Sequence, residues 1–516
     1  MLKELIVNYT SHETRVALLE NGTIVELFIE RKDDASITGN VYKGRIQRVL
    51  PGMQAAFVDI GLNQAAFLYV DDIIDQTAIE MADYFETENG SENSEESLDG
   101  IKPKVRESSE SFDVNIGELI KEGQDVLVQV AKSPIGSKGP RVTTHLSFPG
   151  RYIVLMPYVD HIGISRKIVD EVERDRLREL ILETRNNNYG YILRTVAEGI
   201  DADRLKKEIS FLVKTWEEVK KRNQEKSASS LIYRDLSISF RAVRDLLTND
   251  ADKLVIDSAS EYASVQNFLR KYMPDSNFSI ELYKGKEPIF DAYNLESDIE
   301  RALKKRVWLK SGGYIIIEQT EALVAIDVNT GRYVGGHNFE ETVLKTNLEA
   351  VKEIAYQIRL RNIGGIIIID FIDMKKELHK EKVMSQLAER MKNDKSQINI
   401  LPLSELGLAQ VTRKRTRKNL KRTLNETCFY CGGDGMLLSG KSICHKIYRD
   451  LISEANDMMG NKFTVKVHPE IARLLHGEEK HLINSLEKKF QKPIAIYPDT
   501  NYHMEEYHIF ETLVKQ

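Results

Sequence analysis

Cysteine is nearly absent, with three in 516 residues. That excludes a disulfide framework and fits a reducing cytoplasm. Long apolar runs are missing too. The richest stretches, such as GGIIIIDFI at 364–372, are strand-sized and fall short of the roughly 20 residues that cross a bilayer. The opening MLKELIVNYT lacks the basic, apolar and small-residue regions of a signal peptide. No repeat of solenoid type is found. Membrane proteins, small secreted scaffolds and fibrous arrays are thereby set aside. What is present is a composition of 41% hydrophobic and 29% charged residues, that of a soluble globular protein, at a length that predicts several domains.

The net charge of −6 argues against a nucleic-acid partner only until it is divided. Between Asp75 and Asp113 stand 12 acidic and 3 basic residues, so the remainder of the chain is mildly basic. That acidic stretch contains ETENGSENSEESLDG, which cannot bury enough apolar surface to order itself. It reads as a disordered insertion, a solvated loop before it is a screen for a basic groove.

Hydrophobic patterning divides the rest. Residues 1–37 alternate apolar and polar around Asn21-Gly22, a hairpin signal. Residues 38–148, with the insertion at about 75–113, contain five or so short strands with glycine turns and predict a small OB-type barrel. Residues 149–239 mix strands with helices over Asp170–Arg185 and Asp201–Lys221, each with Asp near its start. Residues 240–302 read as a further α/β piece. In 303–424, two strands, a long helix over Glu340–Arg361, a buried strand and a helix near Lys375–Lys392 predict an α/β domain with parallel or mixed pairing. A Cys-x-x-Cys segment at 425–435 and a small α/β domain at 436–516 complete the chain.

Two carboxylates carry the strongest chemical signal. Asp327 ends the strand ALVAID and Asp370 ends GGIIIID. Strand ends form the site edge of α/β domains, and two such carboxylates on neighbouring strands could share one Mg²⁺, which takes one or two carboxylates and keeps several waters. Asn329, two residues on, points to the same side as Asp327 and can hydrogen-bond its second oxygen. Asp373 backs the site or anchors the turn. In the barrel, Phe57 and Phe67 stand near Lys43, Arg45 and Arg48, with Lys138 in the loop GSKGP. Exposed aromatics with basic residues bind single strands, although a Phe in a strand more often fills a core. The spacing GxxxxxxPGMxAAFVDIG looks like an S1-type RNA-binding barrel.

Cys428 and Cys431, followed by Gly-Gly-Asp-Gly, form a zinc knuckle with two of four ligands. Cys444 and His445 could complete the set, though adjacent helical residues point about 100° apart. Alternatively two chains share one ion across a twofold axis, or the pair is a redox dithiol. Just upstream, Arg413–Arg422 holds seven basic residues in ten, a solvated face or an arm that contacts RNA phosphates.

Together, AIDVNTGRYVGG, TNLEAVKEIAYQIRLRNIGGIIIIDFIDM, LGLAQVTRKR and CFYCGGDG resemble the ribonuclease E/G family of bacterial endoribonucleases, end to end apart from the acidic insertion. The length is similar to that of the family's shorter members. The resemblance implies an RNase H-like domain split between 1–37 and 240–302, an S1 barrel, a 5′-end sensor, a DNase I-like catalytic domain, a zinc link and a small domain. It implies Asp327 and Asp370 as magnesium ligands with Asn329 orienting Asp327. Phe57, Phe67 and Lys138 match its S1 RNA contacts. Gly150, Val154, Arg194 and Thr195 match its sensor for a 5′-monophosphate. Cys428 and Cys431 match the zinc link that joins protomers into a homodimer, with a homotetramer left open. Ungapped alignment from Asp370 places Gln397 where longer members have a sensor Arg, with Lys395 close by. The implied activity is Mg²⁺-dependent cleavage of single-stranded RNA to 3′-hydroxyl and 5′-phosphate ends, in rRNA processing and mRNA decay. The rival is a non-catalytic S1-type RNA-binding protein.

Overall fold

The computed structural model describes residues 2–32, 36–73, 115–134, 139–185, 189–247, 252–272, 279–331, 339–392, 394–415, 417–454, 460 and 462–512. The acidic insertion and Lys138 lie outside the described residues. The chain forms two compact units, Met1–Thr423 and Leu424–Gln516.

Among the described residues the first unit holds four sheets. Asn21 and Gly22 both adopt positive φ (50° and 76°), the turn that joins two strands with matching twist. The antiparallel strands Lys3–Tyr9, Glu13–Glu20 and Thr23–Arg31 follow from it. Two strands from far along the chain, Lys253–Ile256 and Ser279–Leu282, extend this sheet in parallel fashion, with Glu4 opposite Lys253.

Strands Val41–Leu50, Ala55–Asp59, Ala66–Tyr69, Arg141–Thr143 and Asp125–Lys132 close into a five-stranded barrel, because the first and last of that order also pair. A sixth strand, Ser230–Tyr233, adds to the outside of Val41–Leu50. Pattern reading does not find this strand, since its partner is almost 200 residues away. A four-stranded sheet follows, flanked by helices Glu171–Thr184 and Ala202–Glu225. Asp170 and Asp201 cap them, accepting from Val172 N and Arg204 N. The second helix runs beyond Lys221 to Glu225 because no breaker interrupts KKRNQE.

The sheet that carries the two aspartates has six strands, in the order Arg306–Trp308, Tyr314–Gln319, Leu323–Asn329, Gly365–Asp370, Leu408–Arg413 and Ile398–Leu401. Only its central pair, Leu323–Asn329 with Gly365–Asp370, is parallel. The crossover helix Phe339–Leu360 makes that pairing possible. Val307, Ile315, Ile317, Val324, Ile326, Val328, Ile367, Ile369, Ala409 and Val411 turn to one face and pack with this helix and Glu377–Met391. The alternate residues form the other face, which is open.

The helix is tied to the N-terminal sheet as well. Arg359 grips Glu20 with two bonds, of 3.0 and 2.9 Å, both side chains being about one-tenth exposed. Part of the basic segment is also structural, contrary to its reading as an RNA-contacting arm. Arg413 is buried and pairs with Asp394 (Nε to Oδ2, 2.8 Å; Nη2 to Oδ1, 3.2 Å), and also donates to Asn362 Oδ1 and Ile363 O. Arg417 lies over the Phe28 ring at 3.8 Å and donates to Leu27 O. These two arginines are held by partners within the fold.

The second unit places helices Gly440–Glu454, Pro469–His476 and Lys480–Phe490 against a sheet of Ile494–Pro498, Lys462–Val467 and Tyr507–Thr512.

The Arg413–Asp394 pair generates a prediction. Asp394→Ala should cost about 3–5 kcal/mol, since it leaves a buried guanidinium short of its counter-charge. Asp394→Leu combined with Arg413→Met should recover most of that loss. Thermal unfolding of the three proteins measures both effects, and equal midpoints for wild type and Asp394→Ala would contradict the assignment.

Candidate active site

Asp327 and Asp370 are direct partners in the parallel ladder. Adjacent strands lie about 4.8 Å apart, and opposed residues face the same side. The two carboxylates therefore emerge side by side on the open face. Asn329 Nδ2 donates to Asp327 Oδ2 at 2.7 Å and fixes that carboxylate's rotation. The Asp370 carboxyl is held above its usual range by partial burial and then by the negative charges of Asp327 and Asp373. Such mutual repulsion suits a cation, and two carboxylates match the protein's usual share of a Mg²⁺ shell. Among the described residues no group of three or more His, Cys, Asp or Glu converges as a metal site.

Behind the pair stands a residue that pattern reading passes over. Asn347, fully buried on the crossover helix, donates to Ile372 O at 2.8 Å and accepts from Ile372 N at 3.1 Å. It pins the backbone two residues after Asp370. An Asn among the buried positions of this helix, which also include Thr342, Thr346 and Gln357, was the available signal.

On the barrel, Phe57 and Phe67 are cross-strand partners with ring centroids 5.5 Å apart. Their neighbours Ala56, Val58, Ala66 and Leu68 fill the core, so the two rings are on the outer face, half-buried. Phe67 contacts Tyr69, over which Arg141 lies at 4.9 Å. Arg48 is exposed and opposite Phe57. The other two basic neighbours have structural work. Lys43 donates to Asn223 O and Lys226 O at the end of helix Ala202–Glu225, and Arg45 pairs with Asp125 at 2.9 Å.

Gly150, Val154, Arg194 and Thr195 are gathered around one short sheet. Arg194 Nη1 donates to Gly150 O and to Asp245 Oδ1, both at 2.7 Å. The Thr195 hydroxyl is 3.0 Å from that of Ser165. Val154 is a buried strand residue opposite Ile192, so what it offers a ligand is backbone. Glu208 accepts from Arg151, Tyr152 and Ile153 N–H groups at 2.5–3.1 Å and clamps the loop after Gly150. A Cβ on Gly150 would lie 2.7 Å from that carboxylate, which is why the position is glycine. Burial raises the Glu208 carboxyl above its usual range although the three N–H groups and Arg194 oppose the shift. Lys395, rather than Gln397, reaches this cluster: its ammonium donates to Asp245 O at 3.2 Å. Gln397 just precedes the strand Ile398–Leu401, its carbonyl accepting from Lys414 N.

In the second unit, Cys428 and Cys431 lie in a tight turn in which Gly432, Gly433 and Gly435 have positive φ. Backbone N–H groups of Cys431 and Tyr430 act on the Cys428 sulfur and lower its thiol, and Gly435 N is 3.3 Å from Cys431 Sγ. The turn thus favours the Cys428 thiolate. His503 Nε2 meets Tyr430 O at 2.6 Å and holds the turn. Cys444 is fully buried in the core of this unit, while its neighbour His445 is exposed. A site completed by Cys444 and His445 is therefore not formed. The turn precedes a helix without a strand leading into it, unlike a redox dithiol.

Comparison with known proteins decides the family. Residues 147–416 match the ribonuclease E/G family and residues 427–512 the RNase E/G thioredoxin-like domain. The chain is 40% identical over 510 residues to Ribonuclease G of Salmonella typhimurium (strain SL1344), covering 99% of each chain. The chain belongs to the ribonuclease E/G family. Ribonuclease G of Haemophilus influenzae is 40% identical over 507 residues, covering 98% of this chain and 99% of its own. Ribonuclease E of Escherichia coli (strain K12) is 34% identical over 514 residues, which are 98% of this chain and 46% of the relative. The longer family member thus extends well beyond the region shared here. No helix among the described residues is long and apolar enough to cross a membrane.

The three thiols of this family member should differ sharply in reactivity. In metal-free protein at pH 8, Cys428 and Cys431 should react fast with a disulfide reagent. Cys444, buried and pushed up to about 11 by that burial, should react only on unfolding. Three fast thiols per chain in a thiol titration would show that the small domain's core is open.

Proposed function

We propose that the chain is an endoribonuclease that cuts single-stranded RNA at Asp327 and Asp370, with Mg²⁺ held by those two carboxylates. The observation that carries this is their in-register pairing on an open sheet face, in a chain of this family. Mg²⁺ bound there would supply charge neutralisation and activate water for attack on the phosphodiester. The residues themselves have separable tasks. Asp327 and Asp370 would hold the cation. Asn329 keeps Asp327 in one orientation, and Asn347 keeps the loop after Asp370 in place. The outward rings Phe57 and Phe67, with Arg48 and Lys138, hold the strand by stacking and phosphate contact. With water rather than a ribose 2′-hydroxyl as nucleophile, the ends are a 3′-hydroxyl and a 5′-phosphate. We place this activity in rRNA processing and mRNA decay in the cytoplasm.

The domain plan proposed for it is an RNase H-like part at 1–37 and 240–302, an S1 barrel at 38–148, a sensor at 149–239, a DNase I-like catalytic domain at 303–424, a zinc link at 425–435 and a small domain at 436–516. One chain offers two thiolates in the Cys428–Cys431 turn, so a tetrahedral zinc takes the other two from a second chain and makes a homodimer.

Asp327→Asn and Asp370→Asn should each lower the cleavage rate about a thousandfold or more, as loss of a ligand to a catalytic ion costs several kcal/mol. RNA affinity should persist through the barrel. Cleavage of a short unstructured RNA alongside a filter-binding assay measures the two; near-normal cleavage by either variant, with its Mg²⁺ requirement unchanged, would end the assignment.

Gly150, Val154, Arg194 and Thr195 form the proposed 5′-monophosphate sensor, to which Lys395 adds a second cation. An Arg–phosphate contact is charge-assisted and worth about 1.5–3 kcal/mol, so a 5′-monophosphate should speed cleavage roughly ten- to a hundredfold over a 5′-hydroxyl. The Asp245 carboxylate already occupies one edge of Arg194, which favours the low end. Arg194→Ala should abolish the difference and Lys395→Ala should narrow it. Equal rates on 5′-monophosphate, 5′-triphosphate and 5′-hydroxyl forms of one RNA in wild type would remove the sensor from this chain.

A further inference from the structure

The open face of the catalytic sheet continues past the carboxylates. Ladder register carries the row of Asp370 and Asp327 through Ile316 to Arg306. The next row runs from Asn329 through Tyr314 to Trp308. Opposed residues share a face, so Arg306, Tyr314 and Trp308 lie on the side of Asp327 and Asp370. Tyr314 is one strand from Asp327, Arg306 and Trp308 are two, and all three lie within roughly 12 Å of it along the sheet; Asp370 is one strand farther.

Trp308 is 57% exposed, whereas the chain's other tryptophan, Trp216, is 3% exposed. Core packing does not account for it, because Val307 takes the core side of the same strand. The indole stands edge-on to Tyr314, with centroids 5.3 Å apart. The Arg306 guanidinium lies 4.5 Å from the Tyr314 centroid and 5.8 Å from that of Trp308. Past this edge strand runs a groove lined by Ser297, Arg301, Lys304, Arg306 and Trp308. Arg301 is paired with Glu353. Arg306, in the carboxylates' own row, and Lys304, just before the edge strand, add positive charge beside the indole.

We propose that Trp308 is a stacking platform for the base of a nucleotide flanking the scissile phosphate, braced by Tyr314 and Arg306, and that the strand leaves over the groove of Lys304 and Arg306. The inference rests on Asp327 and Asp370 being the cleavage centre. An exposed ring beside cations is how single strands are held without sequence readout, since every base has a π face. Orientation follows: a base fixed two strands from Asp327 and three from Asp370 sets which phosphate lies over them.

The test uses the full chain and a short unstructured RNA with a single cleavage site, in versions that each carry one abasic nucleotide at one of the two positions on either side of the scissile bond. Trp308→Ala should slow cleavage of the intact RNA about tenfold, and Trp308→Phe should regain most of it. At one position the abasic RNA should slow wild type by a similar factor and slow Trp308→Ala no further. In an Asp327→Asn background, the RNA should quench the exposed indole, and Trp308→Phe should remove that quenching. If wild type cuts none of the RNAs, the cleavage centre is misassigned, and the quenching decides the stacking by itself. Unchanged cleavage by Trp308→Ala, or losses that multiply with the abasic loss at every position, would overturn the proposal. So would an effect of Trp308→Ala confined to assembly mass, which would make the indole a protein contact.

Discussion

The parallel pairing of Leu323–Asn329 with Gly365–Asp370 is the constraint from which the site follows. Slipping this register by one residue would turn one aspartate into the helix-covered face, where an ionised carboxylate is costly. Ile326 and Ile369, the residues just before the aspartates, are buried in that face. The apolar packing that holds the register therefore also aims the carboxylates outward. Partial burial first, and then the negative charges of Asp327 and Asp373, raise the Asp370 carboxyl, and the packed register holds the pair together despite it.

The surrounding structure is held by buried polar contacts as well as by apolar packing. Asn347 satisfies both backbone groups of Ile372, Arg359 ties the crossover helix to Glu20, and Arg413 with Asp394 joins the last strands of the sheet. Each polar group is strongly directional and expensive to leave unpaired. The same principle shapes the cluster at Gly150. Glu208 holds three backbone N–H groups, and Arg194 bridges Gly150 O to Asp245. In the proposed sensor role, an incoming phosphate would meet a preset loop and a guanidinium with only one of its terminal nitrogens engaged by these bonds.

Basic residues show how little a charge run says by itself. Of the segment 413–422, Arg413 and Arg417 serve the fold, and of the cations near the barrel aromatics, Lys43 closes a helix end and Arg45 meets Asp125. Arg48 and Arg306 instead stand beside aromatic rings on open faces. Composition cannot separate these roles, because they depend on whether a carboxylate or carbonyl lies within reach.

Local patterning was enough to make Asp370 a strand-end carboxylate, to mark Asn21-Gly22 as a turn, to place the caps Asp170 and Asp201, and to assign short strands to a barrel; Asp327, read as ending its strand, lies two residues before the strand's end at Asn329. These features arise from neighbours in the chain: alternation, turn conformation and side-chain bonds to nearby backbone. The strand Ser230–Tyr233 on the barrel, the joining of Lys253–Ile256 to the N-terminal hairpin, the clamp of Glu208, and the arrival of Lys395 beside Asp245 were decided only by tertiary structure. So was the burial of Cys444, which removes it from the knuckle of Cys428 and Cys431. In each case the partner is distant in the chain or hidden by packing. No local periodicity encodes where that partner lies, and only the register of the folded sheets brings the groups into bonding distance.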